Sequence, residues 1–118
     1  MNHQNGRKKL NLKPSHRRSL LRNQAISFIT FGHLTTTKAT AKEVQRFTEK
    51  LVTLARDGNH FNNRRSVKAL LPYKDEAIVK LFKDIAPRYV TRPGGYTRLI
   101  NLGRRMSDTA MMARLEWV

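Results

Sequence analysis

The chain contains no cysteine, and its first 42 residues contain no aspartate or glutamate. The absence of cysteine excludes disulfide frameworks, thiolate zinc sites and cysteine nucleophiles. It is also compatible with a reducing compartment. The basic amino terminus lacks the apolar stretch of a signal peptide, so we expect the protein to work in the cytoplasm, where it is made. No run of residues approaches the ~18 apolar positions of a transmembrane helix.

Residues that could perform a reaction are also scarce. None of the histidines has a carboxylate at metal-ligand spacing. The neighbouring acids Asp75 and Glu76 are better interpreted as the first turn of a helix than as a general acid and base. The sequence contains neither a GxSxG nor a GxxxxGK[ST] motif. We therefore predict that the protein is not an enzyme and has no metal, no cofactor and no small-molecule substrate.

Positive charge is abundant. The 118 residues include 24 Lys and Arg against 8 Asp and Glu, which gives a net charge of +16. A compact chain with this charge repels itself unless a polyanion screens it. A membrane surface could attract such charge, but no lipidation motif is present, so we favour nucleic acid.

The cations are unevenly distributed along the chain. Residues 1–42 and 85–107 contain no acid, and Arg64, Arg65 and Lys68 form a third cluster. Solvated surfaces usually mix charges of both signs. We therefore predict a polyanion that contacts the domain on more than one side.

Hydrophobic periodicity predicts one α+β domain at residues 15–118, preceded by a basic, extended N-terminal arm at residues 1–14. We expect the first helix to begin at a Ser15 cap, and the long second helix to begin at a cap formed by either Thr37 or Thr40. About four segments show helical periodicity: residues 15–31, the long helix ending at Asp57, residues 59–71 and residues 75–86.

Strand-like patterns predict a small, mainly antiparallel sheet that these helices cover on one side. In the last of the strand-like segments, alternate residues from Met111 to Trp117 share one face. The four segments are residues 34–37, 88–92, 96–102 and 111–118.

The stretch RPGGYTR, residues 92–98, has the Pro-Gly signature of a type II turn. We interpret it as a hairpin turn with Arg92 and Arg98 at its base. No helix follows the glycines, which argues against a phosphate-binding loop. Tyr96 could stack on a base or could equally be a half-buried strand residue.

Cations crowd the predicted start of the first helix. Arg17 and Arg18 stand where a helix dipole disfavours cations and its unpaired amides attract anions. A phosphate bound there would relieve this conflict, although the arginines could also simply point into solvent. Because Arg22 extends the set, we predict phosphate contact.

Three stretches together resemble a known family. GRKKLNLKPSHRRSLLRN, LTTTKATAKEVQRFTEKLVTLAR and RYVTRPGGYTRLINLGRR are similar, in this order, to the family of the seventeenth protein of the bacterial large ribosomal subunit. The resemblance spans nearly the whole chain. It implies a structural protein that binds large-subunit ribosomal RNA near the nascent-peptide exit, contacts neighbouring ribosomal proteins and supports subunit assembly and translation.

The resemblance also implies which side chains contact RNA. They are Arg7, Lys8, Lys9, Lys13, His16, Arg17, Arg18, Arg22, Arg64, Arg65, Arg92, Tyr96, Arg98, Arg104 and Arg105. The sequence departs from the family pattern at Asn2, Gln4, Thr40 and Ser107. These departures affect individual RNA contacts and not the resemblance as a whole. The alternative function is that of a free nucleic-acid-binding protein that compacts DNA, since net charge does not distinguish DNA from RNA.

Overall fold

The computed structural model describes residues 10–58, 60–72 and 74–118, and within them the chain is an α+β domain, as predicted. Most of the predicted N-terminal arm, including Arg7, Lys8 and Lys9, lies outside the described residues. In chain order the elements are α1 (Pro14–Phe31), β1 (His33–Thr37), α2 (Lys38–Arg56), α3 (Phe61–Leu70), α4 (Asp75–Lys80), a π-helical turn (Leu81–Ile85), a 3-10 turn (Ala86–Tyr89), β2 (Thr97–Arg104) and β3 (Met111–Trp117).

The strands form a three-stranded antiparallel sheet in the order β1-β3-β2. Leu115 of the central strand is paired with Leu34 on one side and with Leu99 on the other. The predicted alternation along β3 is confirmed at Ala113 and Leu115, which are fully buried, and at the partly buried Trp117, whereas Met111 is 43% exposed. The sheet is thus apolar on the face that packs against the helices.

The helix α2 forms the centre of the core. Its periodic apolar residues, among them Val44, Leu51 and Val52, have no exposed surface. This buried stripe contacts the sheet and α1 on one side and the later helices on the other. Burial of one continuous stripe along a 19-residue helix explains why the basic residues lie on the outer surfaces.

One of the predicted helix caps is wrong, and for the other the structure selects between the two predicted residues. Pro14 is the first residue of α1 and Lys13 occupies the cap position, so Ser15 is not the cap. Proline is well suited to this position because its fixed φ is helical and its missing N–H would have no partner there. In α2 the cap position belongs to Thr37, whose hydroxyl donates to the Thr40 hydroxyl at 2.9 Å.

The predicted strand at residues 88–92 is wrong. The chain instead continues from α4 through the π-helical turn and the 3-10 turn, which ends at Tyr89. Ile85, Ala86 and Tyr89 are buried at helical spacing, and the Tyr89 hydroxyl donates to the Val118 carbonyl at 2.9 Å. Burial of this helical face outweighs the strand preference of the β-branched residues around it.

The stretch RPGGYTR therefore does not form a hairpin turn. A type II turn over residues 92–95 needs a positive φ at Gly94, but in this segment Gly95 has the positive φ, at 65°. The observed hairpin joins β2 to β3 through residues 105–110. Gly103, with φ at 89°, adopts a conformation that favours glycine at the point where the strand register shifts.

Candidate nucleic-acid interface

The first turn of α1 combines cationic side chains with backbone amides that have no intrahelical partner. Pro14 has no N–H, and the first helical hydrogen bond runs from the Arg17 amide to the Lys13 carbonyl at 2.8 Å. The amides of Ser15 and His16 precede that bond, and among the described residues no side chain caps the turn. The turn contains no acid, and Arg18 is exposed beside it. This arrangement can bind a phosphate through amides and guanidinium groups together.

Arg22 has a structural contact within the protein. Its Nε donates to the Leu70 carbonyl at 3.0 Å, and this bond joins α1 to the end of α3. The residue is half-buried. Arg22 therefore helps to position the two helices that carry the exposed cations around it.

The helix α3 displays most of its surface to solvent. Of its residues only Val67 is buried, while Arg64 and Arg65 are exposed. The Phe61 ring, at the start of the helix, is 68% exposed. Since α3 contains no acid, its outer face can take a polyanion without charge repulsion.

Lys83 lies beside Arg64, where both line one shallow cavity between α3 and the π-helical turn. Sequence reasoning did not single out Lys83. Its four-residue spacing from Val79 places both on one helical face, but nothing in the sequence shows that α3 packs next to that face.

The predicted contacts near the C-terminus occupy different parts of the surface. Arg92 lies in the loop before β2, and its backbone carbonyl accepts a hydrogen bond from the Arg56 guanidinium. Arg98 lies on the outer face of the sheet, opposite Glu116 of β3. Arg104 is exposed at the end of β2. Arg98 and Arg104 are thus separated by six residues along the extended strand β2.

Arg105 closes the hairpin loop. Its Nε and Nη2 atoms contact the two carboxylate oxygens of Asp108 at 2.9 and 2.6 Å. These hydrogen bonds, together with one from the Ala110 amide, lower the pKa of Asp108 to about 2. The same pairing raises the pKa of Arg105. Arg105 therefore stabilises the loop through its ion pair with Asp108, and it is also exposed at the hairpin tip.

Tyr96 is a core residue, which corrects its prediction as an RNA contact. The side chain is 1% exposed, and its hydroxyl lies 3.1 Å from the Thr53 hydroxyl. Its ring centroid is 5.2 Å from that of Tyr89. A base cannot reach the faces of a ring that is buried in this way.

The described residues contain no group of His, Asp and Glu that could hold a metal ion. They also contain no helix with the length and hydrophobicity needed to cross a membrane. The candidate binding groups at the surface are therefore exposed guanidinium and ammonium groups, which lie in several separate clusters.

Comparison with known proteins gives one consistent family. A family model described as Ribosomal protein L17 matches residues 20–118. The chain is 46% identical over 113 residues to the "Large ribosomal subunit protein bL17" of Desulforudis audaxviator, covering 96% of this chain and 99% of that relative. It is 43% identical over 118 residues to the protein of the same name from Gemmatimonas aurantiaca, covering 100% and 98%. A third bL17, from Bdellovibrio bacteriovorus, is 47% identical over 106 residues, which cover 90% of this chain and 58% of that longer relative.

Proposed function

The chain belongs to the ribosomal protein L17 family, and from this premise we propose that it holds its place in the large ribosomal subunit by binding ribosomal RNA. It is a structural constituent of that subunit and not an enzyme. The separate cation clusters suit this role, because a small domain surrounded by folded RNA meets phosphates on several sides.

The observation that carries the proposal is the first turn of α1. Cations surround amides that have no intrahelical partner, at the helix end where the dipole already disfavours positive charge. A bound phosphate removes this conflict by accepting from the amides of Ser15 and His16 while Arg17 and Arg18 neutralise it. Phosphate contacts of this type fix orientation without reading the base sequence.

The exposed apolar side chains near the tip of the β2–β3 hairpin are suited to contact with a neighbouring ribosomal protein. Met106 is 100% exposed, Leu102 is 51% exposed and Met111 is 43% exposed. Exposed apolar side chains grouped on one projecting element are typical of protein contacts. We propose that the hairpin contacts such a neighbour near the nascent-peptide exit, and that the protein supports subunit assembly and translation by holding RNA and protein together.

The lack of cysteine allows this proposal to be tested with single introduced thiols. Ser19 on α1, Ser66 on α3 and Ser107 at the hairpin tip are exposed positions that can each be changed to cysteine and linked to Fe–EDTA. In reconstituted large subunits, hydroxyl radicals should cleave large-subunit RNA near Ser19→Cys and Ser66→Cys. Cleavage from Ser107→Cys should map to RNA at the nascent-peptide exit.

The same experiment can contradict each part of the proposal. Absence of RNA cleavage from both helix positions would contradict RNA binding through α1 and α3. Cleavage far from the exit would contradict the proposed location and leave RNA binding intact.

A further inference from the structure

A shallow groove lies between α3 and the helical run formed by α4 and the π-helical turn. Its cavity volume is about 150 Å³, and its lining comes from Arg64, Ile78, Val79, Phe82 and Lys83. Sequence reasoning predicted only Arg64 as an RNA contact. None of the five residues is acidic.

The floor of the groove is apolar and packs on the core of the domain. Ile78 and Phe82 pack on the main core, whereas Val79 is 49% exposed. The Lys68 ammonium group bonds to the Asp75 carboxylate and so ties α3 to the first residue of α4. The two walls of the groove are therefore joined by a buried core below and by an ion pair at one end.

The π-helical turn supplies two of the lining side chains, Phe82 and Lys83. Such turns are rare, and they occur often at functional sites. Val79 and Lys83 are four residues apart and lie on one face, as do Ile78 and Phe82. The apolar side chains thus line the cavity together with Lys83, and Arg64 lines it from α3.

We propose that this groove binds one unstacked nucleotide of large-subunit ribosomal RNA. The base lies on Val79 and Phe82, and the phosphate lies between Arg64 and Lys83. Unstacked bases of folded RNA are the parts that proteins bind by apolar and aromatic contact, while cations take the adjacent phosphates. An apolar side chain from a neighbouring protein fits less well, because it would leave both cations without an anion. This inference rests on the proposed function of RNA binding.

The first test compares two matched variants. Val79→Asp places a carboxylate in the groove, and Val90→Asp makes the same change at a 60% exposed valine outside it. Circular dichroism should show that both variants are folded. We expect Val79→Asp to weaken binding to transcribed large-subunit RNA by roughly 5- to 150-fold, the range for loss of one base stack. We expect Val90→Asp to weaken it by less than about threefold.

The two variants also separate the groove from the proposed function. If wild type and Val90→Asp bind the RNA and Val79→Asp binds equally well, the groove proposal is overturned and RNA binding stands. If wild type itself does not bind the RNA, the proposed function fails, and the groove proposal fails with it.

The second test identifies the occupant inside assembled large subunits. A photoreactive benzoylphenylalanine replaces Val79, and the subunits are irradiated. A crosslink to one ribosomal RNA nucleotide is the expected result. A crosslink only to a neighbouring protein, or no crosslink at all, overturns the proposal.

Discussion

The indole ring of Trp117 lies almost parallel to the phenyl ring of Phe28, with centroids 4.3 Å apart and 9° between the planes. Phe28 is in α1 and Trp117 is the last residue of β3, so the stack joins the N-terminal helix to the end of the central strand. The Tyr89 ring lies 6.2 Å from the same indole. This aromatic group therefore helps to orient α1, whose first turn carries the proposed phosphate contacts.

Phe28→Ala should lower the free energy of unfolding by about 3–5 kcal/mol, because it removes a fully buried ring and leaves a cavity beside Trp117. Phe31→Ala is the matched control, since it makes the same change in the same helix at a ring that is 71% exposed. The control should change stability by no more than ~0.5 kcal/mol. Urea unfolding followed by circular dichroism measures both values. Similar losses in the two variants would mean that the stack contributes little.

Tyr96→Phe should lower the free energy of unfolding by about 0.5–1.5 kcal/mol, because it removes the hydrogen bond between the Tyr96 and Thr53 hydroxyl groups. Its affinity for large-subunit RNA should equal that of the wild type, since the side chain is buried. Thr53→Val removes the same bond from the other side, together with the bond from the Thr53 hydroxyl to the Glu49 carbonyl, and it leaves the buried Tyr96 hydroxyl without this partner. Its loss should therefore be at least as large. Reduced RNA affinity at unchanged stability would show that Tyr96 contacts RNA after all.

The Asp108 carboxyl should titrate with a pKa of about 2, below its ordinary value of 3.8, because the ionised form accepts bonds from Arg105 and the Ala110 amide. The folded loop favours the ionised carboxylate. Its contribution to the stability of the folded protein is therefore complete above about pH 4 and is lost as the pH falls through 2. Carbon-13 NMR of the carboxyl groups measures this titration. Arg105→Gln should move the titration midpoint of the Asp108 carboxyl upward. A midpoint that stays near 2 in this variant would show that the lowered pKa does not come from Arg105.

Periodicity was sufficient to predict most of the fold. The apolar stripe of α2 and the alternation along β3 each match the period of one structure, and both residue sets are largely buried, with Met111 at the start of β3 exposed. The prediction failed at residues 88–92, where a β-branched Val90 and Thr91 lie next to Tyr89. Local preference favoured a strand there, but contacts from distant parts of the chain, including the Val118 carbonyl, hold Tyr89 at the end of a helical run.

The candidate interface was only partly predictable for the same reason. Exposed cations such as Arg64 and Arg65 can be recognised from charge alone, because burying an unpaired guanidinium is too costly. The sequence could not show whether Tyr96 lies in the core or contacts RNA, since a tyrosine in a strand can either pack in the core or stack on a base. Its position depends on Tyr89 and Thr53, which are 7 and 43 residues away in the chain. Likewise, the groove beside Lys83 exists only because α3 packs next to α4.

The salt dependence of binding to large-subunit ribosomal RNA tests phosphate contact at the start of α1 most directly. The affinity of the wild type, of Arg17→Ala with Arg18→Ala, and of Lys50→Ala with Lys74→Ala should be measured over a series of salt concentrations. The control pair removes the same charge at exposed lysines outside the predicted contacts. The arginine pair should flatten the plot of log affinity against log salt by about 1.5 units, or ~0.7–0.9 per lost phosphate contact, and the control by less than about 0.5. Equal slopes in both double variants would contradict the claim that localised contacts at the start of α1 bind the RNA.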